Sequence, residues 1–440
     1  MPGCHIWDLP PDLSAEWRAF TAFQIHSILS RMKQELEAVR DVDTRRGILI
    51  DRKPGSWATE ALFPVLAADG AAALKNEGAP SGADMMLRSM GRKLGVPHVQ
   101  ELHFQLPVSR SLVDATCFYG SYPADGVFWL ARWTTRQLSH PSSARGGVFK
   151  NVPEMVRDYL PSVHAAWDEF AAAPLMPDPE VLVLGSRASR FLAEGRRGLF
   201  FDISGKREFS ALFLQQVPAR MATEYSPWVK LADFRLVFAR GRVLTESAVG
   251  RLATYAENGG HLVLVGDAGY YTVGRAERNL LQKRVQDCPH VLTIPALTPT
   301  RRRIEELGEI LNWASVRRRI AAKPSVASSS ELAVLYRGTA DRRYVAVMPT
   351  WNGPGVRGSI LHERPDSLAE KHGRTDGVVE LYDLPAGSTW SVEKFHRDEK
   401  KRGRIRVKKG VLRFSLDPAV IGEVQLFRVY RVEQSKRKEG

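Results

Sequence analysis

Residues 235–269 read RLVFARGRVLTESAVGRLATYAENGGHLVLVGDAG, and the succession of their parts sets the fold class. RLVFARG is a short apolar run closed by glycine, as a buried strand would be. TESAVGRLATYAENGG predicts a helix, with Thr245 as its N-cap and the pair Gly259 and Gly260 at its end. HLVLVGDAG is a second strand followed by a turn. A strand, a helix and another strand joined by short connections predict a parallel sheet.

The neighbouring segments extend this region. EVLVLGS (180–186) is a strand, and a helix over 301–320 closes the unit. APLMPDPE (173–180) reads as a Pro-rich linker before it, and KPSVASSS (323–330) as a second linker after it. From Glu331 the pattern changes to alternation without helices, in LAVLYRG, RYVAVMP, GVVELYDLP, RIRVKKGVLRFSL and EVQLFRVYRV. That predicts a small antiparallel β domain of sandwich type. The tail QSKRKEG reads as disordered.

Toward the N-terminus, SAEWRAFTAFQIHSILSRMKQELEAVRDVD predicts a long amphipathic helix, with Trp17, Phe20, Phe23, Ile28, Leu29, Met32 and Leu36 on its apolar side. RRGILIDR, PHVQELHFQ and DGVFWLARW read as strands, with another strand placed near Val65 to Ala68. ADMMLRSMGRKLG, SRSLVDATCFYGSY and VPEMVRDYLPSVHAAWDEFAAA read as helices. Here too, alternating strands and helices predict a parallel sheet. The expected divisions are residues 1–174, 179–322 and 330–433.

Composition narrows the function classes. At 440 residues the chain exceeds one ordinary core. No apolar run approaches the roughly 18 to 20 residues that span a bilayer, and MPGCHIWDLPPDL lacks the basic and apolar segments of a signal peptide. Cys4, Cys117 and Cys288 stand far apart with no CxxC spacing, so neither a disulfide framework nor a zinc site is expected. A cytoplasmic location follows as the expectation.

The formal charge of +14 raises nucleic acid as a partner, through RRRIEELGEILNWASVRRRIAAK (301–323) and KKRGRIRVKK (400–409). In the first cluster Ile304, Leu307, Ile310 and Leu311 recur at helical spacing, with charge on the other side, as on a solvated helix face. Aromatic residues are not interleaved as a single-strand binder requires. Solvated faces, and no nucleic-acid partner, are therefore expected.

The strand-end turns offer little chemistry. A dinucleotide site needs GxGxxG, and VLVLGSRASRFL supplies only Gly185. ARGRVLTES and VGDAGYY carry no cysteine for a nucleophile elbow, and Cys288 lies away from any such turn. No cofactor is expected, and Asp267 reads as a turn or capping residue. His98 and His103 flank Glu101, but no third ligand accompanies them, so no metal is expected.

Glu101 stands out. It interrupts GVPHVQELHFQLP (95–107), where Val96, Val99, Leu102 and Phe104 make an apolar strand. A carboxylate there costs several kcal/mol unless it is paired or used. The following strand ends in Trp129, Arg132 and Trp133. Aromatic faces beside a cation suit a sugar, although packing alone accounts for the tryptophans equally well.

Several stretches together resemble the β-galactosidases of family 42 of the glycoside hydrolases. EWRAFTAFQIHSILSRMKQELEAVRDVDTRRGILID is similar to that family's helix and fifth barrel strand, and LRSMGRKLGVPHVQELHFQ to the approach to its seventh strand. YPADGVFWLARW resembles the eighth strand. LADFRLVFARGRVLTESAVGRLATYAENGGHLVLVGDAG resembles the flavodoxin-like trimerisation domain, and YDLPAGSTW with RVKKGVLRFSLDP the C-terminal β domain. The resemblance implies a partial (β/α)8 TIM-type barrel, a flavodoxin-like α/β domain and a small antiparallel β-sandwich.

It also implies retaining hydrolysis of terminal β-galactosides, with Glu101 as nucleophile and Trp129, Arg132 and Trp133 as lining residues. The implied partners are a β-galactoside-like carbohydrate and further copies of the chain in a trimer, with no membrane. In the family the acid/base glutamate follows an asparagine on the fourth strand, upstream of the EWRAF helix. Asn76-Glu77 falls between the fifth- and seventh-strand matches, so that role is not carried onto Glu77. The region has room for about four βα units where a closed barrel needs eight, and a truncated, completed-in-trans or inactive glycosidase is expected. The alternative is a non-catalytic oligomerisation or carbohydrate-binding protein that keeps the assembly domain.

Overall fold

The computed structural model describes most of residues 159–186, 206–224, 229–295, 301–325, 330–351, 373–396 and 400–432, together with Ser189. It also describes part of 27–43 and 111–118, and the backbones of 49–51, 73–77 and 98–101. Residues 33–42 are helical, as are those described within 111–118, each inside a segment expected to be so. The expected helix 83–95 and the expected strand 125–133 lie outside the described residues.

Three short strands form a parallel sheet in chain order: β1 (Leu49–Asp51), β2 (Ala73–Glu77) and β3 (His98–Glu101). β1 and β3 fall on runs that read as strands. The intervening strand is ALKNE, further along than Val65 to Ala68, which lie outside the described residues. Lys75, Asn76 and Glu77 carry little β-propensity, so pairing on both sides makes this strand rather than its composition.

α1 (Leu160–Ala172) leads to the second parallel region. Its elements are β4 (Val181–Gly185), α2 (Lys206–Leu214), β5 (Ala219–Thr223), β6 (Leu236–Arg240), β7 (Val243–Leu244) and α3 (Glu246–Glu257). Then come β8 (His261–Val265), β9 (Tyr271–Thr272), α4 (Leu280–Val285), β10 (Val291–Ile294) and α5 (Arg301–Trp313). The main sheet is five-stranded and parallel, ordered β10-β8-β6-β4-β5, and β7 pairs with β9.

The ends of α3 are built as the sequence predicts. Thr245 is extended, and its hydroxyl accepts from Ala248 N at 3.2 Å. At the other end Gly259 takes φ +84°, a left-handed conformation that favours glycine. Gly260 serves a different purpose: a Cβ there would meet the Tyr255 ring at 2.4 Å.

The helix expected to run to residue 320 stops at Trp313. Ser315 turns left-handed at φ 54°, while Ala314 N and Val316 N close onto the carbonyls of Ile310 and Leu311. β11 (Ile320–Pro324) follows as a strand. Ile320 and Ala322 belong to the apolar cluster between the two C-terminal sheets, and that burial outweighs continuation of the helix.

The remaining strands are β12 (Ser330–Gly338), β13 (Arg342–Trp351), β14 (Thr375–Leu381), β15 (Thr389–Lys394), β16 (Lys400–Arg406), β17 (Leu412–Ala419) and β18 (Gln425–Arg431). They make two antiparallel sheets, β12-β13-β18-β15-β16 and β11-β14-β17. β15 carries the fully buried Trp390 between them.

Alternation along the strands explains the layering. Val181, Val183, Leu236, Phe238, Val263 and Val265 pack on one face of the parallel sheet with residues of α1, α2 and α5. Leu182, Leu184, Val237, Ala239, Leu262 and Leu264 pack on the other face with α3 and α4. The larger antiparallel sheet is also covered twice. Ala333, Leu335, Ala346 and Met348 join the helical layer, whereas Leu332, Val334, Val345 and Val347 face the smaller sheet. Among the described residues, no helix is long and apolar enough to cross a membrane.

Candidate active site

In an all-parallel arrangement the loops and ligand sites gather beyond the C-terminal ends of the strands. Glu101 is the last residue of β3, at that edge of the three-stranded sheet. Its register partner on β2 is Glu77, itself the last residue of its strand. One step earlier, Lys75 is the partner of both Asp51 on β1 and Val99 on β3.

Register partners in a parallel pair lie on the same face, and residues two apart along a strand share it. Asp51, Lys75, Glu77, Val99 and Glu101 therefore lie on one face. His98, paired with Leu74, lies on the other. The site residue expected from the sequence thus has a second acidic residue, Glu77, as its register partner. Trp129, Arg132 and Trp133, and also His103, lie outside the described residues.

No short-range pattern in the sequence marks Glu77 as a partner of Glu101. The signal that finds it is long-range: parallel pairing brings residues 77 and 101 side by side.

The C-terminal edge of the five-stranded sheet is built differently. Ser186, after β4, has its hydroxyl 2.5 Å from the Val243 carbonyl and 3.0 Å from Glu224 Oε1, and it accepts from Ser189 N at 3.0 Å. Ser189 Oγ donates to Val243 O at 2.9 Å and accepts from Val243 N at 2.7 Å. Gly241, at φ +117°, closes the turn so tightly that a Cβ would lie 2.1 Å from Ser186 Cβ. These hydroxyls are used in joining one turn to the next, where a phosphate cradle would need free backbone donors. Beneath them Arg240 and Glu208 form a buried ion pair.

Other candidates from the sequence have structural roles. Asp267 is exposed, pairs with Arg242 at 3.0 Å, and its carbonyl accepts from Tyr270 N in a turn. Cys117 is buried, and its thiol is pushed well up by that burial and then by the charges of Asp114 and Asp168, which keeps it a poor nucleophile. Close by, Asp114 Oδ1 accepts from Tyr159 Oη at 2.8 Å and lies 3.0 Å from His396 Nε2, all three residues being buried. This cluster fastens the N-terminal region to the segment after β15. Among the described residues, no three His, Cys, Asp or Glu side chains gather as a metal site would require.

Two parallel sheets followed by paired antiparallel sheets define a mixed α/β protein. Its fold is similar to that of solved β-galactosidases and of a glycoside hydrolase of family 42. No protein-family model matches the chain, and no curated protein matches it. Among solved structures, it is similar to an apo exo-carrageenase of glycoside hydrolase family 42 from Bacteroides ovatus. The identity is 11% and the TM-score 0.56, over 95% of this chain and 57% of that one. It is similar to a β-galactosidase from the haloarchaeon Halorubrum lacusprofundi at 12% identity and TM-score 0.58, over 96% of this chain and 70% of that one. A β-galactosidase from Marinomonas ef1 aligns at 10% identity and TM-score 0.52, over 92% and 67% of the two chains. The chain spans a little over half the length of the first of these. At such identities the likeness is one of fold.

Proposed function

We propose that this chain is a retaining glycoside hydrolase of β-galactosidase type, acting on terminal β-galactosides with Glu101 as nucleophile. The observation that carries this reading is the position of Glu101 as the final residue of β3, at the C-terminal edge of adjacent parallel strands. That edge is where barrel enzymes place their reacting groups. In the first step the Glu101 carboxylate attacks the anomeric carbon as the glycosidic C–O bond breaks. Water then hydrolyses the glycosyl-enzyme with net retention. Trp129, Arg132 and Trp133 line the sugar site.

In this reading residues 1–174 are part of a TIM-type barrel. The unit from 179 to the start of β11 is a flavodoxin-like assembly domain, and residues 330–433, joined by β11, are a β-sandwich. The five-strand order, second-first-third-fourth-fifth along the chain, supports the middle assignment, since flavodoxin-like folds share it. The same feature supports a second reading, a protein that keeps the assembly domain and binds carbohydrate or its own copies without catalysis.

Hydrolysis of a chromogenic β-galactoside by the purified chain, with the β-anomer as first product, tests the first reading. Activity must vanish in Glu101→Gln. A chain that forms a trimer in light scattering and leaves the glycoside intact would favour the second.

A further inference from the structure

We propose that the groove beside α3 binds a small phosphate monoester with a hydroxylated body, of which a sugar phosphate is the simplest case. The site belongs to the five-stranded unit and does not depend on the glycosidase reading.

The groove has a volume of about 880 Å³, within the range of small-molecule sites. It is lined by α3 and its cap, from Ser247 to Asn258, and by the segment from Val229 to Arg235 that leads into β6. His261, the first residue of β8, lines it as well. The groove therefore opens beyond the N-terminal ends of β6 and β8, at the opposite edge of the sheet from the turns that hold Ser186 and Ser189.

Its charge is one-sided. Lys230, Arg235 and Arg251 line it, and no carboxylate does. Arg235 is shared with Glu180, at 3.5 Å. Lys230 and Arg251 have no ion-pair partner among the described residues. The two acids of α3, Glu246 and Glu257, are engaged with Arg275 and Arg284.

Arg251 Nη2 donates to Val229 O at 2.6 Å, which holds the guanidinium against the peptide joining Val229 to Lys230. Burial works against the charge of this arginine, and no carboxylate offsets that burial. His261 is held below the ordinary imidazole range by burial, His290 and Arg235, so it is uncharged at neutral pH and adds nothing. Lys230 and Arg251 together match the charge of about −1.5 to −2 that a phosphate monoester carries at pH 7. A single carboxylate would leave one of them unmatched.

The rest of the lining suits the body of such a ligand. Ser247, Arg251, Thr254 and Asn258 recur at intervals of three and four, and so share a face of the helix. The side chains of Ser247, Thr254 and Asn258 are exposed and have no hydrogen-bond partner among the described residues, which leaves them for a ligand's hydroxyls. Gly250 also lines the groove. A glycine inside a helix is destabilising, and a Cβ here would meet nothing within 4 Å, so packing does not require it. What the missing side chain provides is room.

Isothermal titration calorimetry of the full chain at pH 7 and low salt tests this, with glucose 6-phosphate, inorganic phosphate, gluconate and glucose as probes. Glucose 6-phosphate should bind more tightly than each of the other three by about tenfold or more. Arg251→Gln and Lys230→Met should each weaken it about tenfold. Gly250→Leu keeps both charges and fills the groove, and it should weaken binding at least as much. Circular dichroism checks the fold of each variant. If Arg251→Gln does not fold, Lys230→Met and Gly250→Leu carry the test, since one changes an exposed side chain and the other fills open space.

No heat from glucose 6-phosphate at millimolar concentration overturns the proposal, as does binding that the variants leave unchanged. Equal affinity for inorganic phosphate would remove the hydroxylated body, and equal affinity for gluconate or glucose the phosphate; each of these outcomes overturns it. So does binding of heparin in place of glucose 6-phosphate, weakened by the same variants, since that marks a surface for a polyanion.

Discussion

Glu169 on α1 accepts hydrogen bonds from Arg428 on β18, at 2.8 Å from Nε and 2.6 Å from Nη2, across 259 residues of chain. Tyr344 Oη adds a third bond to the same carboxylate at 3.1 Å, and Arg342 approaches it at 3.4 Å. One side chain thereby ties the helix ahead of the parallel sheet to two neighbouring strands of the larger antiparallel sheet.

This clamp predicts a pH dependence. Burial pushes the Glu169 carboxyl upward, but the hydrogen bonds and charge of Arg428, with Tyr344 and Arg342, outweigh it and hold the group below the usual carboxylate range. A folded-state pKa below the unfolded one means stability that is complete above the unfolded value and is lost as pH falls through the folded one. Glu169→Gln should therefore cost about 1 kcal/mol at neutral pH. The gap to the unaltered chain should narrow below about pH 4. Urea denaturation of both chains across that range reads the difference, and a gap that widens on acidification would contradict the clamp.

Gln216 predicts a larger loss. Its side-chain amide donates to Ala322 O at 2.8 Å and Leu332 O at 2.9 Å, and its oxygen accepts from Ala322 N at 2.6 Å. It thus joins the end of α2 to β11 and β12. Gln216→Ala should cost about 2 to 3 kcal/mol, because it strands backbone groups in a half-buried seam. The urea midpoint measures this, and a shift no larger than that of an ordinary surface substitution would show that water replaces the amide freely.

Two glycines should respond in opposite directions. Gly241→Ala places a methyl 2.1 Å from Ser186 Cβ at φ +117°, so it should destabilise by about 3 kcal/mol. Gly250 lies within α3, and a methyl added there would meet nothing within 4 Å, so Gly250→Ala should stabilise by about 0.5 to 1 kcal/mol. Thermal melting of the two variants gives the signs directly.

Tyr382 contributes to the alkaline limb. Burial, then its bond to Glu380 at 2.5 Å and that carboxylate's charge, push the phenol up to about 12. A folded-state pKa above the unfolded one means stability that is complete below about pH 10 and is lost as the pH rises toward 12. Tyr382→Phe should flatten part of that fall. Tyr336, pushed up to about 12 chiefly by burial, shares the rest with Tyr255 and Tyr344, whose phenols are also pushed up, first by burial. Unfolding free energy measured between these pH values, together with tyrosinate absorbance, tests it; an unchanged slope would remove Tyr382 from the account.

Much of the fold is legible without coordinates. The apolar runs of β4, β6 and β8, the Thr245 cap and the glycine pair after α3 are local signals, and each element forms where its residues favour it. Where sequence and structure part, the cause is shared. Charge and apolar spacing persist past Trp313 and predict a helix to residue 320, yet Ile320 and Ala322 gain more by entering the core between two sheets. β2 has no strand-like composition and owes its conformation to a partner on each side.

The candidate site divides in the same way. Glu101 is visible in the sequence because a carboxylate inside an apolar run is costly, and that cost is local. Asn76-Glu77 is visible as a pair, but nothing in its own run or in its distance from Glu101 along the chain shows that the two strands lie side by side. Hydrophobic periodicity, caps and turns specify the elements, since those energies act between residues a few positions apart. Which strand lies beside which, and so which two carboxylates share an edge, depends on backbone pairing between distant segments, and that is settled when the sheet assembles.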